Sequence, residues 1–159
     1  MIARARQLRP DLERLALEAP DFRIEFLENE EWSQLDYLLE ILGPFRLFTD
    51  AIGATETGPT IHNVFAIYNE LFDHIDRQFE KLQRKRTPWK VKMRHALQNA
   101  AAKLREYYSK TYEDLGYLYA CATILAPQYK LKTFEGVNWL ADKDEQPWVC
   151  YYFDCYFFF

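Results

Sequence analysis

The fold is decided by the stretch PTIHNVFAIYNELFDHIDRQFEKL, residues 59–82. Its apolar side chains recur at intervals of three and four residues over about six turns of an α-helix. Pro59 suits a first-turn position, where a missing N–H costs nothing. The stretch therefore predicts a long amphipathic helix that ends before Arg84-Lys85-Arg86. The residues of its apolar face are Ile61, Val64, Phe65, Tyr68, Leu71, Phe72, Ile75, Phe79 and Leu82.

Two further helices are predicted downstream of this stretch. Thr87 as N-cap and Pro88 at the first helical position begin a helix whose apolar face continues as far as Tyr108. A shorter helix covers residues 112–125 and stops before Pro127. The alanines at the centre of the first of these helices would let a neighbouring helix approach closely.

Upstream, the same spacing predicts two helices. The first covers residues 2–17 and contains Pro10, so a kink or a late start is expected there. The second begins near Asn29 as N-cap and ends near Gly53. Gly43-Pro44 interrupts it, which predicts one kinked helix or two short ones.

The fold class that follows is all-α: an antiparallel bundle of about five helices joined by short connections, over residues 1–134. Residues 135–159 are expected to form an irregular tail, which ends in YYFDCYFFF, residues 151–159. Three interpretations of this aromatic end remain open: a buried strand, a partner-binding segment, and an artefact of the gene model. Aromatic residues make up 17% of the 159 residues, so rings should supply much of the buried area.

Charge is unevenly distributed along the chain. The formal net charge of −4 favours neither nucleic acid nor a membrane surface as a partner. However, residues 11–73 contain 14 acidic and 3 basic residues, whereas residues 77–110 contain 11 basic and 2 acidic residues. Such a chain either folds so that the two halves neutralise each other, or presents its basic half to a polyanion.

The basic segment at residues 84–94 is the candidate binding site. Cationic side chains next to an indole suit contact with phosphates combined with stacking on a base. Two other interpretations stay open: a solvated helix–helix corner whose tryptophan packs inward, and a nuclear import signal. The candidate DNA-contacting residues are Arg84, Lys85, Arg86, Trp89, Lys90, Lys92 and Arg94.

Catalytic and metal sites are not indicated. The acidic residues have no arrangement typical of two-metal chemistry, and His62, His74 and His95 lack a second ligand at helical spacing. We therefore expect no catalytic residue, no metal and no cofactor. The three cysteines lack a Cys-x-x-Cys pair, no secretory signal is seen, and no apolar run is long enough to span a membrane. A reduced intracellular location, nuclear or cytoplasmic, is the expectation.

Several segments in a fixed order resemble a known family. MIARARQLRPDLERL at residues 1–15 is followed by ENEEWSQLDYLLEILGPFRLFTDAIGATETGPTIHNVFAIYNELFDHI at residues 28–75. LREYYSKTYEDLGYLYACATILAPQYKLKTF then covers residues 104–134. The most specific elements are Glu31-Trp32, the Leu-x-Pro-Phe-x-x-x-Thr pattern at residues 42–49, Pro59-Thr60, and Ile-Leu-Ala-Pro-Gln-Tyr-Lys at residues 124–130. In this order they resemble the hAT superfamily of DNA transposases, of fungal type.

The resemblance places residues 1–134 in the helical insertion that interrupts the RNase H-like core of these transposases, and in its N-terminal flank. It implies that the first two catalytic aspartates lie before Met1, and that the catalytic glutamate and the dimerisation region lie after Phe134. None of the family's catalytic residues therefore corresponds to a position here. Ala126 replaces the usual aspartate of the family's Leu-Asp-Pro segment, which marks local divergence and removes no catalytic group.

The expected function is that of a non-catalytic fragment of a hAT-like transposase: a helical scaffold with weak, non-specific DNA contact through the basic segment. The alternative is a protein-interaction module with an exposed apolar face and no nucleic-acid role. The candidate partners are DNA, and a full-length transposase relative or a second copy of the chain, but not a membrane. Charge reversal of Arg84, Arg86 and Lys90 should abolish DNA contact and spare apolar association.

Overall fold

All the elements in the described part of the chain are helical, which confirms the all-α class. The computed structural model describes residues 1–18, 27–53, 61–130 and 132–133. Within these ranges lie five α-helices and a 3₁₀ turn: α1 (Ile2–Gln7), α2 (Arg9–Glu18), α3 (Asn29–Gly53), the turn (Ile61–Asn63), α4 (Val64–Gln83) and α5 (Pro88–Leu125). The predicted tail at residues 135–159 and the predicted first-turn residue Pro59 lie outside the described residues.

The predicted kink in the first helix is present as a complete break at Leu8. Leu8 has φ −89° and ψ 4°, and it separates α1 from α2. Pro10 then lies in the first turn of α2, where its missing N–H leaves no helical hydrogen bond unmade. Because proline is tolerated in the first turn of a helix but not in its interior, the boundary between α1 and α2 lies just before Pro10.

Helix α3 is capped one residue earlier than predicted. The N–H of Trp32 donates to the carbonyl oxygen of Glu28 at 3.0 Å, and the N–H of Glu28 donates to the Glu31 carboxylate at 2.8 Å. This return contact from the third helical residue is half of a capping box, and it makes Glu28 the N-cap. The helix starts at Asn29, as predicted, but Asn29 is its first residue and not its cap. The side chain of Asn29 accepts a hydrogen bond from Arg9 at 2.7 Å.

Helix α3 also runs without interruption through Gly43-Pro44. It ends at Gly53, as predicted, but it is one helix and not two. Pro44 removes a single hydrogen bond from a helix of 25 residues. The apolar spacing continues across it, from buried Ile41 to half-buried Phe45, so packing is kept on both sides of the proline.

Helix α4 begins at Val64, directly after the 3₁₀ turn. The buried hydroxyl of Thr123 lies 3.2 Å from the carbonyl oxygen of His62, and the Tyr129 hydroxyl donates to Asn63 Oδ1 at 3.0 Å. These contacts join the turn before α4 to the end of α5.

Helix α5 merges the two helices predicted for residues 87–108 and 112–125 into one of 38 residues. No proline lies between Trp89 and Ala126, and the polar residues near the expected break are accommodated within the helix. The hydroxyls of Ser109 and Thr111 donate to the carbonyl oxygens of Glu106 and Tyr107, at 3.0 and 2.9 Å. Such back-bonding lets serine and threonine remain in a helix interior. The predicted cap at Thr87 and the predicted end before Pro127 are confirmed.

Helices α4 and α5 pack antiparallel around a core of aliphatic and aromatic side chains. The ring of Phe65, 1% exposed, lies edge-on to the rings of Tyr108 and Tyr119, with centroids 6.4 Å away in both pairs. Tyr68 meets Tyr108 at 5.1 Å in a similar T-shaped arrangement. Each such pair adds about 0.5–1.5 kcal/mol beyond its buried area. Among the described residues, the other buried apolar side chains of the two helices are Leu71, Ile75, Leu82, Leu97, Ala101 and Ala120.

The chain forms two compact units, Met1–Leu47 and Phe48–Phe159. In the first, the Arg6 guanidinium pairs with Asp36 at 3.0 Å, and the Arg9 guanidinium lies 5.0 Å from the centre of the Trp32 ring. The second contains α4, α5 and the 3₁₀ turn. The candidate binding segment belongs entirely to the second unit.

Candidate nucleic-acid interface

The basic segment forms the corner between α4 and α5. Arg84 is the C-terminal cap of α4, and the N–H of Lys85 donates to the carbonyl oxygen of Leu82 at 3.0 Å. Thr87 is in extended conformation, with φ −60° and ψ 134°. Its carbonyl oxygen accepts the N–H groups of Lys90 and Val91, at 3.0 and 3.1 Å, which begins α5. All seven predicted residues therefore lie on this turn and on the first two turns of α5.

Four of the six predicted cations are exposed and make no ion pair with any residue that the structure describes: Arg84, Lys85, Arg86 and Lys92. Several cations elsewhere in the described ranges are paired at 2.7–3.1 Å. They are Arg6 with Asp36, Arg9 with Glu13, Arg14 with Asp11, and Lys103 and Lys110 with Glu106. The corner therefore carries positive charge that the described carboxylates leave uncompensated. We call these four residues the free cation group.

The local sequence explains why Lys92 has no carboxylate partner along its own helix. Every charged residue between Glu80 and Glu106 is basic. A helical side chain reaches neighbours three or four residues away, so no carboxylate on the same helix lies within reach of Lys92. The result is a positive field at one end of the α4–α5 pair, of the kind that attracts polyanions.

The other two predicted cations have structural contacts. Arg94 is half-buried, and its guanidinium donates to the carbonyl oxygen of Gln83 at 3.2 Å. That carbonyl is among the last of α4, where helices lack internal donors and where positive charge is favourable. Lys90 is also half-buried, with its ammonium group 5.0 Å from the centre of the Trp89 ring. Arg94 thus joins the two helices at the corner, whereas Lys90 lies against its neighbour in the first turn of α5.

Trp89 is half-buried. It is therefore neither a fully available indole for stacking on a base nor a tryptophan that packs completely inward. The ammonium group of Lys90 occupies one side of the indole. A base could stack on that side only by displacing the ammonium, at the cost of a cation–π contact worth about 0.5–1 kcal/mol at an exposed site. The geometry therefore favours contact with phosphates over stacking on bases.

A groove between α4 and α5 was not predicted from the sequence as a site. It has a volume of about 220 Å³ and is lined by Ile75, Asp76, Phe79, Leu97, Gln98, Ala101 and Arg105. The small side chain of Ala101 leaves this space between the larger apolar residues. The alanine-rich centre of α5 was the available signal, but it was interpreted as a place for close helix packing.

No group of three or more His, Cys, Asp or Glu side chains in the described ranges is arranged to hold a metal ion. Within the same ranges, no helix is long and apolar enough to cross a membrane. Cys121 is half-buried on α5 with a free thiol.

Comparison with known proteins yields one informative similarity. No protein-family model matches the chain, and no solved structure matches it. A proposed transcriptional regulator from Talaromyces stipitatus, tpeD, is 40% identical over 141 residues. The alignment covers 87% of this chain but only 14% of tpeD. The chain is thus similar to a short portion of a much longer fungal protein.

Proposed function

We propose that this chain is a non-catalytic helical module that contacts the DNA backbone through the α4–α5 corner. The observation that carries the proposal is the free cation group: Arg84, Lys85, Arg86 and Lys92 are exposed and have no carboxylate partner among the described residues. Contacts from arginine and lysine to phosphates fix position on DNA without reading sequence. The expected binding is therefore weak and non-specific.

The strength and salt dependence of this binding follow from the number of cations. Each phosphate neutralised on duplex DNA contributes about 0.9 to the slope of log K against log salt. Four free cations give a slope of about −4, and recruitment of Lys90 and Arg94 would raise it to about −5. A binding surface of this size should lose most of its affinity between low and near-physiological salt.

The origin proposed for the module is the helical insertion of a hAT-like transposase. This rests on the order of the segments at residues 1–15, 28–75 and 104–134. The name of tpeD describes a proposed transcriptional regulator, and a DNA-contacting role agrees with that description. Nuclear location belongs to the same proposal, because an exposed basic cluster such as Arg84-Lys85-Arg86 also suits an import signal.

The test is fluorescence anisotropy of labelled duplex DNA titrated with the chain at several salt concentrations. In the test variant, glutamine replaces Arg84, Arg86 and Lys92. Lys92 is chosen because it is exposed, whereas Lys90 lies against Trp89. A matched control neutralises Lys103, Arg105 and Lys110, which are also exposed. The control residues lie about 16 Å or more along α5 from Lys92, at 1.5 Å per residue. Binding should be lost in the first variant and kept in the second.

A second candidate function is protein interaction through α3. Leu42 and Leu47 on this helix are 49% and 66% exposed, and only Trp32 and Ile41 of α3 are buried. A partner that covers this helix would bury apolar area, and its binding would persist at high salt. Weak salt dependence of association, together with no DNA binding, would favour this function over the first.

A further inference from the structure

The corner between α4 and α5 presents a hydroxyl group that the described structure leaves unused. Thr87 is exposed, and although it is the N-cap of α5, its side chain makes no capping hydrogen bond. Its hydroxyl forms no hydrogen bond with any residue in the described ranges. The backbone at Thr87 is extended, and residues 85–87 belong to neither helix. The hydroxyl is therefore accessible to an enzyme that binds its substrate as an extended segment.

The residues on both sides of Thr87 form a recognisable chemical pattern. Arg84, Lys85 and Arg86 precede it directly, and Pro88 follows it. All four neighbours are exposed. In the 159 residues, Thr87 is the only serine or threonine followed directly by proline. Protein kinases select substrates by charge patterns of this kind and by the residue that follows the acceptor hydroxyl.

We propose that Thr87 is a phosphorylation site for a proline-directed protein kinase. The hydroxyl oxygen of Thr87 attacks the γ-phosphorus of ATP, so an O–P bond to Thr87 forms while the bond between the γ-phosphorus and the bridging oxygen of ADP breaks. The hydroxyl proton passes to a base of the kinase, and ADP leaves. ATP and the kinase are the co-reactant and the catalyst, and the chain supplies only the acceptor.

Phosphorylation at this position would oppose the DNA contact, and this part of the inference rests on the proposed function. A phosphothreonine carries a charge of about −1.5 to −2 at neutral pH. At Thr87 that charge enters the middle of the free cation group, next to Arg86 along the chain. It would compensate about two of the cations, so the magnitude of the salt slope should fall by about 2. Affinity for duplex DNA should fall roughly tenfold or more at low salt.

A second consequence is independent of DNA. Thr87 is the N-cap of a helix of 38 residues and lacks a capping hydrogen bond from its side chain. A phosphate there would supply strong acceptors for N–H groups at the start of α5, and its negative charge lies at the favourable end of the helix dipole. The phosphorylated chain should therefore unfold at a higher temperature than the unmodified chain.

The first experiment tests the modification itself. The purified chain is incubated with ATP and a recombinant kinase of the cyclin-dependent class, and intact mass and peptide mass spectra are recorded. Addition of one phosphate, located at Thr87, is the expected result. Thr87→Val should accept none, and Thr87→Ser should restore acceptance. No phosphate on the folded wild-type chain, or a phosphate at another residue, would overturn the inference.

The second experiment tests the consequences, using the phosphorylated chain, the unmodified chain and Thr87→Val. The expected results are weaker DNA binding with a shallower salt slope, and a raised Tm, in the phosphorylated chain alone. Unchanged DNA affinity and unchanged Tm after complete phosphorylation would overturn the regulatory role. If none of the three forms binds DNA, the proposed function fails, whereas phosphate incorporation and Tm still decide whether Thr87 is a modification site that acts on α5.

Discussion

The guanidinium of Arg94 donates a hydrogen bond to the carbonyl oxygen of Gln83 across 3.2 Å. Gln83 is the last residue of α4, and Arg94 lies in the second turn of α5. The contact spans the corner that holds the free cation group. One of the six cations of the segment, Arg94, therefore has a structural role. It differs in this from the free cation group, although the basic residues look alike in the sequence.

Replacing Arg94 with methionine should destabilise the chain by about 1 kcal/mol, because the terminal carbonyl of α4 loses a donor while the apolar stem of the side chain is kept. The free energy of unfolding in urea measures the change. Arg84→Met is the matched control. It removes a cation with no side-chain hydrogen bond in the described structure, so its effect should stay within about 0.5 kcal/mol. Equal changes in the free energy of unfolding for Arg94→Met and Arg84→Met would contradict a structural role for Arg94 that Arg84 lacks.

Phe65→Ala should cost about 3–5 kcal/mol, because it leaves a cavity between Tyr108 and Tyr119 that neighbouring helices cannot fill. Thermal or urea unfolding followed by circular dichroism measures this loss. Leu125→Ala provides the control, since Leu125 is 67% exposed and should change stability by less than about 0.5 kcal/mol. A mild effect at Phe65 would mean that the core of the second unit lies elsewhere.

The pKa of the Glu106 carboxyl should lie below the ordinary value for a glutamate. Hydrogen bonds from Lys103 and Lys110, at 2.7 and 2.8 Å, together with their positive charges, lower the pKa of this carboxyl from 4.5 to about 2. The stabilisation that accompanies a lowered folded-state pKa is complete above pH 4.5 and is lost as the pH falls toward 2. Carbon-detected NMR would follow the titration of the Glu106 carboxyl. The spectra should run from about pH 1.5 to about pH 6, so that the ordinary carboxyl range is included. In Lys103→Gln/Lys110→Gln the pKa should return toward 4.5.

Trp32→Phe should leave stability unchanged or raise it slightly. Trp32 is buried, and its indole Nε1 has no hydrogen-bond partner in the described structure. An unsatisfied buried donor costs about 1–3 kcal/mol, which offsets the smaller apolar area of phenylalanine. The ring also keeps its place beside the Arg9 guanidinium. Urea unfolding that shows a loss above about 2 kcal/mol would mean that the indole N–H is paired in solution.

The helices of this protein could be predicted because their apolar spacing is local and strong. The spacing in α4 and the Thr87-Pro88 signal were sufficient to place the end of α4 and the start of α5, although α5 was predicted as two helices. The boundaries that were predicted wrongly depend on contacts that spacing does not encode. The hydrogen bond from the N–H of Glu28 to the Glu31 carboxylate makes Glu28 the N-cap of α3 in place of Asn29. Thr123 in α5 contacts the carbonyl oxygen of His62, 61 residues earlier in the chain. His62 lies in a 3₁₀ turn that the sequence pattern does not predict.

The candidate site could be located from the sequence, but its internal roles could not. A run of basic residues is visible without a structure. That Arg84 makes no ion pair with Glu80, four residues earlier, depends on the conformation of the chain at the corner. The contact of Arg94 with Gln83 depends on the angle at which α5 leaves the corner, and the contact of Lys90 with Trp89 depends on the side-chain conformations of both residues. The groove beside Ala101 escaped prediction for the same reason, since a small residue can either admit a neighbour or leave a space.

The most direct test of the account is the salt dependence of DNA binding by the wild-type chain and by Arg84→Gln/Arg86→Gln/Lys92→Gln. We expect a slope of log K against log salt of about −4 for the wild type, and a slope smaller in magnitude by about 3 for the variant. The control Lys103→Gln/Arg105→Gln/Lys110→Gln should keep the wild-type slope. An absence of DNA binding at low salt, or equal slopes in the two variants, would contradict the account.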